Sequence, residues 1–472
     1  MQRRAFLRAG GAAGAVLAVS GAAVGTSTAT PRASQEVPDS FEPLGQLELP
    51  DSDPAEVVID DHGETAYLAT TYGFATVDLG DPTAPELLAE RTRLEADGQE
   101  FTRIFDVKVD GDRLAVVGPA DEGFGEFNGF ELYDVSDPAD PAVVDRYETG
   151  FHIHNCFFAD ELLYVVNNGP DDTALVIYDT SDDDTEAVGR WSLLDHDPEW
   201  EDVYWYVHYL HDVTVHGDLA VFPFWDAGTY LVDVSDPSDP KYVSHVRDPD
   251  VSRDRSYGER EAVYGLPGND HYATVDDAGE LLAVGREAWT TGGSAPDGPG
   301  GIDLYDVTDP SAPEPLASIE PPESDDASRR GGEWTTAHNF ELRDGRLYSA
   351  WYQGGIKIHD VSDPAAPEGL AHWRATDDAA LWTARVANDG ATVVASSTSR
   401  LPATDIDGAL YTFPTGLESD GFETGGDDNG SDGDGNDSLS DRVPGFGGLS
   451  TGIGLAGSAA ALEWVRRRGD DR

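Results

Sequence analysis

The chain has 472 residues, with 91 Asp and Glu against 30 Lys and Arg and a formal net charge of -61. Nucleic acids and anionic lipids are bound by Lys and Arg that neutralise phosphate, so this balance excludes nucleic-acid binding and electrostatic docking on a membrane. Hydrophobic residues still make up 39%, with 10 Trp, 18 Tyr and 17 Phe, enough for a large core. The single cysteine, Cys156, excludes an internal disulfide framework and every CxxC metal or redox site.

The chain opens Gln2-Arg3-Arg4-Ala5-Phe6-Leu7-Arg8, and a weakly apolar run of Gly, Ala and Val follows from Ala9 to Gly25. That run is too small and Gly-rich for a good membrane span. Arg3 and Arg4 ahead of Phe-Leu resemble a twin-arginine export signal, here residues 1–34, which implies passage of the folded protein through the twin-arginine translocase. The basic residues include only three lysines, Lys108, Lys241 and Lys357. A Lys-poor, acidic surface of this kind resembles proteins of salt-loving archaea, where concentrated salt screens self-repulsion.

The central region repeats itself. Asp78-Leu79-Gly80-Asp81-Pro82 recurs as Asp-Val-Ser/Thr-Asp-Pro from Asp134, Asp233, Asp306 and Asp360, with a degenerate copy from Asp179. Each copy follows one short β-rich segment (FATVDL, FELYDV, LVIYDT, TYLVDV, IDLYDV, IKIHDV) and precedes another. A second strand pair lies upstream, so one unit is four short antiparallel strands, a propeller blade. A seventh unit lacks the signature and its fourth strand, and Leu44 to Pro50 reads like the strand it lacks. The expected fold is therefore an all-β, seven-bladed propeller over residues 41–415, its ring closed by an N-terminal strand. The units resemble the LVIVD repeat family, named for the strand that here reads LVIYDT, TYLVDV or IDLYDV. The Asp-Pro box itself needs no ligand, because Asp and Ser side chains close local turns and Pro pre-sets the backbone.

Connections between first and second strands (ADE, HGD, RDG, NDG) and between third and fourth (DPSDP, DPAAP) are short. Length accumulates in the other two kinds of link, at 192–210, 249–270, 287–300 and 321–337. In an antiparallel blade those links emerge on one face, the expected working surface. At the start of the innermost strand, blades three to six place His154, His211, His271 and His338, where blade two has Phe105 and blade seven Trp382. Two readings stay open for this arc: packing between blades, or ligands for a divalent transition metal such as Zn, Cu or Fe. Trp225, Asp226, Arg286, Glu287, Trp351 and Tyr352 at ends of second strands, with Glu333 in a long loop, would line a small-ligand or carbohydrate pocket.

From Glu418 to Asp441 the sequence holds nine acidic residues, six glycines and no basic residue, so residues 416–442 read as an extended acidic stalk. Asn429 and Asn436 head the Asn-x-Ser sites there, where a glycan would be accessible. Pro444-Gly445-Phe446, a Gly/Ala/Leu-rich stretch and Arg466-Arg467-Arg468 then resemble, over residues 443–472, the sorting tail of archaeal surface proteins. That resemblance implies removal by an archaeosortase and attachment of a lipid. The functional expectation is thus an extracellular, lipid-anchored binding or scaffold propeller whose partner is a small ligand, a surface protein or a glycan. The alternative is a secreted metal-dependent enzyme, for which propellers related to selenium-binding protein and methanethiol oxidase offer a fold-level precedent. Phosphate-loop and His-Glu-x-x-His motifs are missing, so an enzyme reading rests on the histidines alone.

Overall fold

The structure, a computed structural model, describes residues 41–49, 52–96, 98–121, 125–169, 172–181, 185–247, 259–293, 296–387, 390–402 and 404–416. The export signal, the stalk with Asn429 and Asn436, and the Pro444-Gly445-Phe446 tail lie outside those residues. Among the described residues no helix is long and apolar enough to cross a membrane.

Seven four-stranded antiparallel sheets follow one another along the chain. Blade one runs Pro54–Ile59, Thr65–Thr70, Phe74–Asp78 and Glu86–Arg91 from inside to outside. The middle strands are buried on both faces and read as apolar runs, as in Leu175-Val176-Ile177-Tyr178, while outer strands such as Ala142–Glu148 alternate toward solvent. Facing blades interdigitate their side chains into shared cores. Between blades three and four these include Tyr164, Leu175, Trp191, Phe222, Phe224 and Tyr230, each such side chain contributing about 1.5–3 kcal/mol by burial.

The Asp-Pro turns work as the sequence implies. The Asp134 carboxylate accepts bonds from the Ser136 amide and hydroxyl, and Asp179, Asp233, Asp306 and Asp360 accept the amide two residues on. A second role appears only in three dimensions. Thr76 donates to the Pro138 carbonyl at 2.6 Å, Ser244 to Pro310 at 2.5 Å and Thr412 to Pro82 at 2.5 Å, so these turns latch onto the blade before them.

The strand Gly45–Glu48 completes blade seven outside Ala409–Pro414, in register Gly45 with Thr412 through Glu48 with Ala409. The Leu44 amide donates to Thr412 and the Leu49 amide to Gly408. Phe41 stacks on Phe413 at 5.4 Å, and Leu49 enters a core with Val57 and Leu68 of blade one. The first strand therefore clasps the last blade to the first.

Candidate functional site at the channel mouth

The inner strands of blades three, five and seven begin with a bulge. One extra residue intervenes between Ile153 and Cys156, between Asp270 and Tyr272, and between Leu381 and Thr383, and a bulge turns such a residue out of the ladder. His154, His271 and Trp382 stand at these points; His211 and His338 hold the matching places before the strands of blades four and six. Their rings form an unbroken row, with centroids 4.4 Å apart from His154 to His211, 3.8 Å to His271, 4.5 Å to His338 and 4.4 Å to Trp382. Phe105 completes the circuit, 5.7 Å from His154 and 6.0 Å from Trp382.

A second set of residues lies over this row. Leu219 pairs with Asp233, Leu281 with Asp306 and Arg346 with Asp360, so Trp225, Glu287 and Tyr352 occupy the same blade position. Trp225 and Tyr352 adopt left-handed backbone, φ 47° and 48°, which costs a bulky residue about 1–2 kcal/mol. The turn after Tyr352 closes at Gly355, φ 86°, where a Cβ would stand 1.9 Å from the Trp373 carbonyl. This geometry lays Trp225 on its own blade's His211, 4.9 Å away and 17° from parallel, and sets Tyr352 4.6 Å from His338. In blade five the aromatic residue is replaced by a carboxylate. Glu287 Oε2 lies 3.6 Å from His271 Nε2, while Tyr352 donates its hydroxyl proton to Oε1 at 2.5 Å.

The four imidazoles are not equivalent. His154 Nδ1 bonds the Ala120 carbonyl at 3.1 Å, His211 Nδ1 the His271 carbonyl at 3.1 Å and His338 Nδ1 the Trp382 carbonyl at 2.6 Å. Because a carbonyl only accepts, each of these Nδ1 atoms carries the proton and leaves Nε2 with a lone pair. His271 Nδ1 is buried without a partner. Burial, reinforced for His211 and His271 by neighbouring imidazoles, lowers all four below the usual histidine range, His338 to about 3. All four are therefore neutral at pH 7. Burial pushes Glu287 up to about 7, against the Tyr352 hydrogen bond and the Arg329 charge. Among the described residues, His271, Glu287 and His338 are the one set of three that brings ligand atoms within 4.8 Å of one another; His154 and His211 stand beside it.

The long links roof this site. Asp197 accepts the Glu199 amide and Pro198 occupies the first position of a 3₁₀ turn, Pro198–Asp202, which buries Trp200 in the core of blades three and four. Tyr264, Trp289 and Trp334 surround the Arg329 guanidinium at 4.5, 5.3 and 5.8 Å, and the Trp334 ring lies 5.2 Å from Tyr352.

The remaining residues singled out in the sequence have other surroundings. Asp226 is buried, and its carboxylate accepts the Asn269 amide at 3.2 Å. Arg286 pairs with Asp303. Glu333 is at the rim, 43% exposed, paired with Arg374 at 2.8 Å. Trp351 lies in the core with Tyr272 and Phe340, its ring nitrogen donating to Ser349. A polar groove around Asp276, Glu280, Arg343 and Asp363 opens on the opposite, plain face.

One layer deeper is a group of charges that sequence reasoning missed. Glu56, 1% exposed, accepts bonds from Asn339, Thr383 and Arg385, each at 2.6 Å, with Lys108 at 3.8 Å. Lys108 also pairs with Asp106, whose other oxygen accepts the Cys156 amide at 2.7 Å. Burial alone would raise Glu56; Arg385 and Lys108, with the two hydrogen bonds, reverse that and hold it at about 2. Burial likewise opposes the charge on Lys108, and Asp106 and Glu56 overcome it. The available signal was a charged or amide residue one place after the channel-mouth position in five blades: Glu56, Asp106, Asn155, Asp212 and Asn339.

No curated protein matches the chain. The LVIVD repeat matches residues 125–149 and 209–248, the outer half of blade two and all of blade four. Among solved structures, the β-propeller domain of Myceliophteria thermophila Cps50 (Swd1) superposes with a TM-score of 0.52 at 10% identity, covering 79% of this chain and 99% of that one. A likeness at that identity concerns the fold. Residues 125–149 and 209–248 are thus similar to the LVIVD repeat, and the chain as a whole has the fold of a seven-bladed β-propeller.

Proposed function

We propose that this protein is an exported, cell-surface-anchored propeller that binds a ligand or partner at its channel mouth. One observation carries the reading: the long connections converge on one face, and beneath them two left-handed aromatic residues, Trp225 and Tyr352, are held against buried histidines. Strained backbone at bulky residues persists where the surrounding structure imposes it, a common property of binding sites. The twin-arginine translocase and an archaeosortase act during maturation, and a C-terminal lipid is the sole membrane contact. The ligand is a small molecule, a glycan or a surface protein, and the acidity of the surface belongs to a salt-rich habitat. Thermal-shift screening of sugars, polyols and small carboxylates in concentrated salt tests the site. Binding should be lost in Tyr352→Ala and kept in Asp276→Ala on the plain face; the reverse pattern refutes the placement. A second reading, a secreted metal-dependent enzyme, is favoured by the convergence of His271, His338 and Glu287.

A further inference from the structure

We infer that His271, His338 and Glu287 bind one divalent transition-metal ion of the zinc, cobalt or iron(II) class, an inference that rests on reading the channel mouth as the working site. Four observations carry it. The three ligand atoms lie within 4.8 Å of one another, and all three residues are buried, at 2%, 2% and 8% exposure. The 3.6 Å between His271 Nε2 and Glu287 Oε2 is too long for a hydrogen bond. It is close to the roughly 3–3.5 Å that separates two ligands at about 2.0–2.2 Å from one ion.

The outer contacts are those that orient ligands. Trp382 fixes the His338 tautomer with Nε2 bare, and Tyr352 holds one Glu287 oxygen so that the other faces the imidazoles. The repeat also departs from its own rule at this point. Blades four and six set an aromatic ring on their histidine, whereas blade five presents a carboxylate to an imidazole with a partnerless Nδ1. Two neutral imidazoles and one carboxylate suit borderline metals, whereas magnesium and calcium take oxygen ligands. Three protein ligands leave a coordination position for an exogenous molecule, which gives the mouth a reactive or ligand-anchoring centre.

The test is cobalt(II) titration of the full chain, stripped of metal by chelator and followed by visible absorption. Wild type should bind one equivalent. Glu287→Gln keeps the shape of the side chain and should weaken binding at least about 100-fold, as should His338→Ala, with near-ultraviolet circular dichroism confirming that each variant is folded. Tyr352→Phe should weaken it about 10–100-fold, the usual effect of removing an outer hydrogen bond. Asp276→Ala on the plain face should bind as wild type. Folded wild type without cobalt bands, or equal loss in Asp276→Ala and Glu287→Gln, overturns the site. An organic-ligand screen on the same samples separates the two readings. Ligand binding without cobalt bands removes the metal and leaves the channel-mouth site standing; cobalt bands without any organic or protein ligand keep the metal site and remove the binding-propeller reading.

Discussion

Replacing Glu56 by Gln probes the charge cluster that ties the inner strands together. The carboxylate is held at about 2 from an ordinary 4.5. The folded state therefore favours the charged form, and the contacts give the magnitude. Arg385 at 2.6 Å, with its side chain 14% exposed, would lose its carboxylate partner, and Lys108 would retain Asp106. Removing one member of a buried pair costs about 3–5 kcal/mol. For a folded body of this size the unfolding entropy is roughly 0.8 kcal/mol per degree, so the melting temperature should fall by about 4–6 °C. Glu48→Gln, at an exposed position on the closing strand, serves as the control. Urea midpoints at fixed salt check the thermal result, and the deficit should persist at high salt because buried pairs are poorly screened. An E56Q protein melting within about 1 °C of wild type would show that the cluster is not coupled to stability.

Deleting residues 41–49 should lower stability far more than deleting nine stalk residues, because it exposes the edge of Ala409–Pro414 and uncovers Phe413; equal urea midpoints would refute closure by this strand. His208 is buried and held at about 4, below its ordinary 6.5, mainly by burial. The unfolded chain therefore takes up that proton first as pH falls, and the stability contributed by neutral His208 is lost between pH 6.5 and about 4. The stability difference between wild type and His208→Gln should accordingly shrink by about 1.4 kcal/mol per pH unit over that window; a difference that stays constant from pH 7 to 5 would contradict a neutral buried imidazole. Arg3→Lys with Arg4→Lys should leave the protein inside the cell, and removing residues 443–472 should release it folded into the medium. Normal export of the double-Lys chain, followed by blotting cell and medium fractions, would end the twin-arginine reading.

The propeller was legible because its determinants are local. An Asp carboxylate reaching an amide two residues away and a strand of four to eight residues leave their mark within a short window, so blade count, strand order and the borrowed strand at Gly45–Glu48 could all be read. The positions of the four histidines were legible for the same reason, since each stands at or just before the start of an inner strand. Their inequivalence was not. Only assembly shows that His271 meets Glu287 while His154, His211 and His338 bond carbonyls of adjoining blades. Trp351 and Tyr352 are neighbours in sequence, yet one faces the core and the other the mouth, a division set by the left-handed turn at Tyr352. Glu56 and Lys108 were hidden because one Glu among 91 acidic residues is inconspicuous. In hindsight Lys108 was the more informative, being one of three lysines in a chain that otherwise uses arginine.

Closure by the first strand also imposes an order on biosynthesis. Ala409–Pro414 finds its outer neighbour only in Gly45–Glu48, made roughly 360 residues earlier. At ribosomal rates of about 5–20 residues per second, the first strand waits roughly 20–70 s for its partner. During that interval Phe41 has no Phe413 to stack on, and a chain halted before residue 409 cannot supply it. A truncated product thus advertises itself through an uncovered aromatic side chain and an unpaired edge, features that degradation machinery recognises. The clasp acts as a record of complete translation, readable from the outside of the molecule.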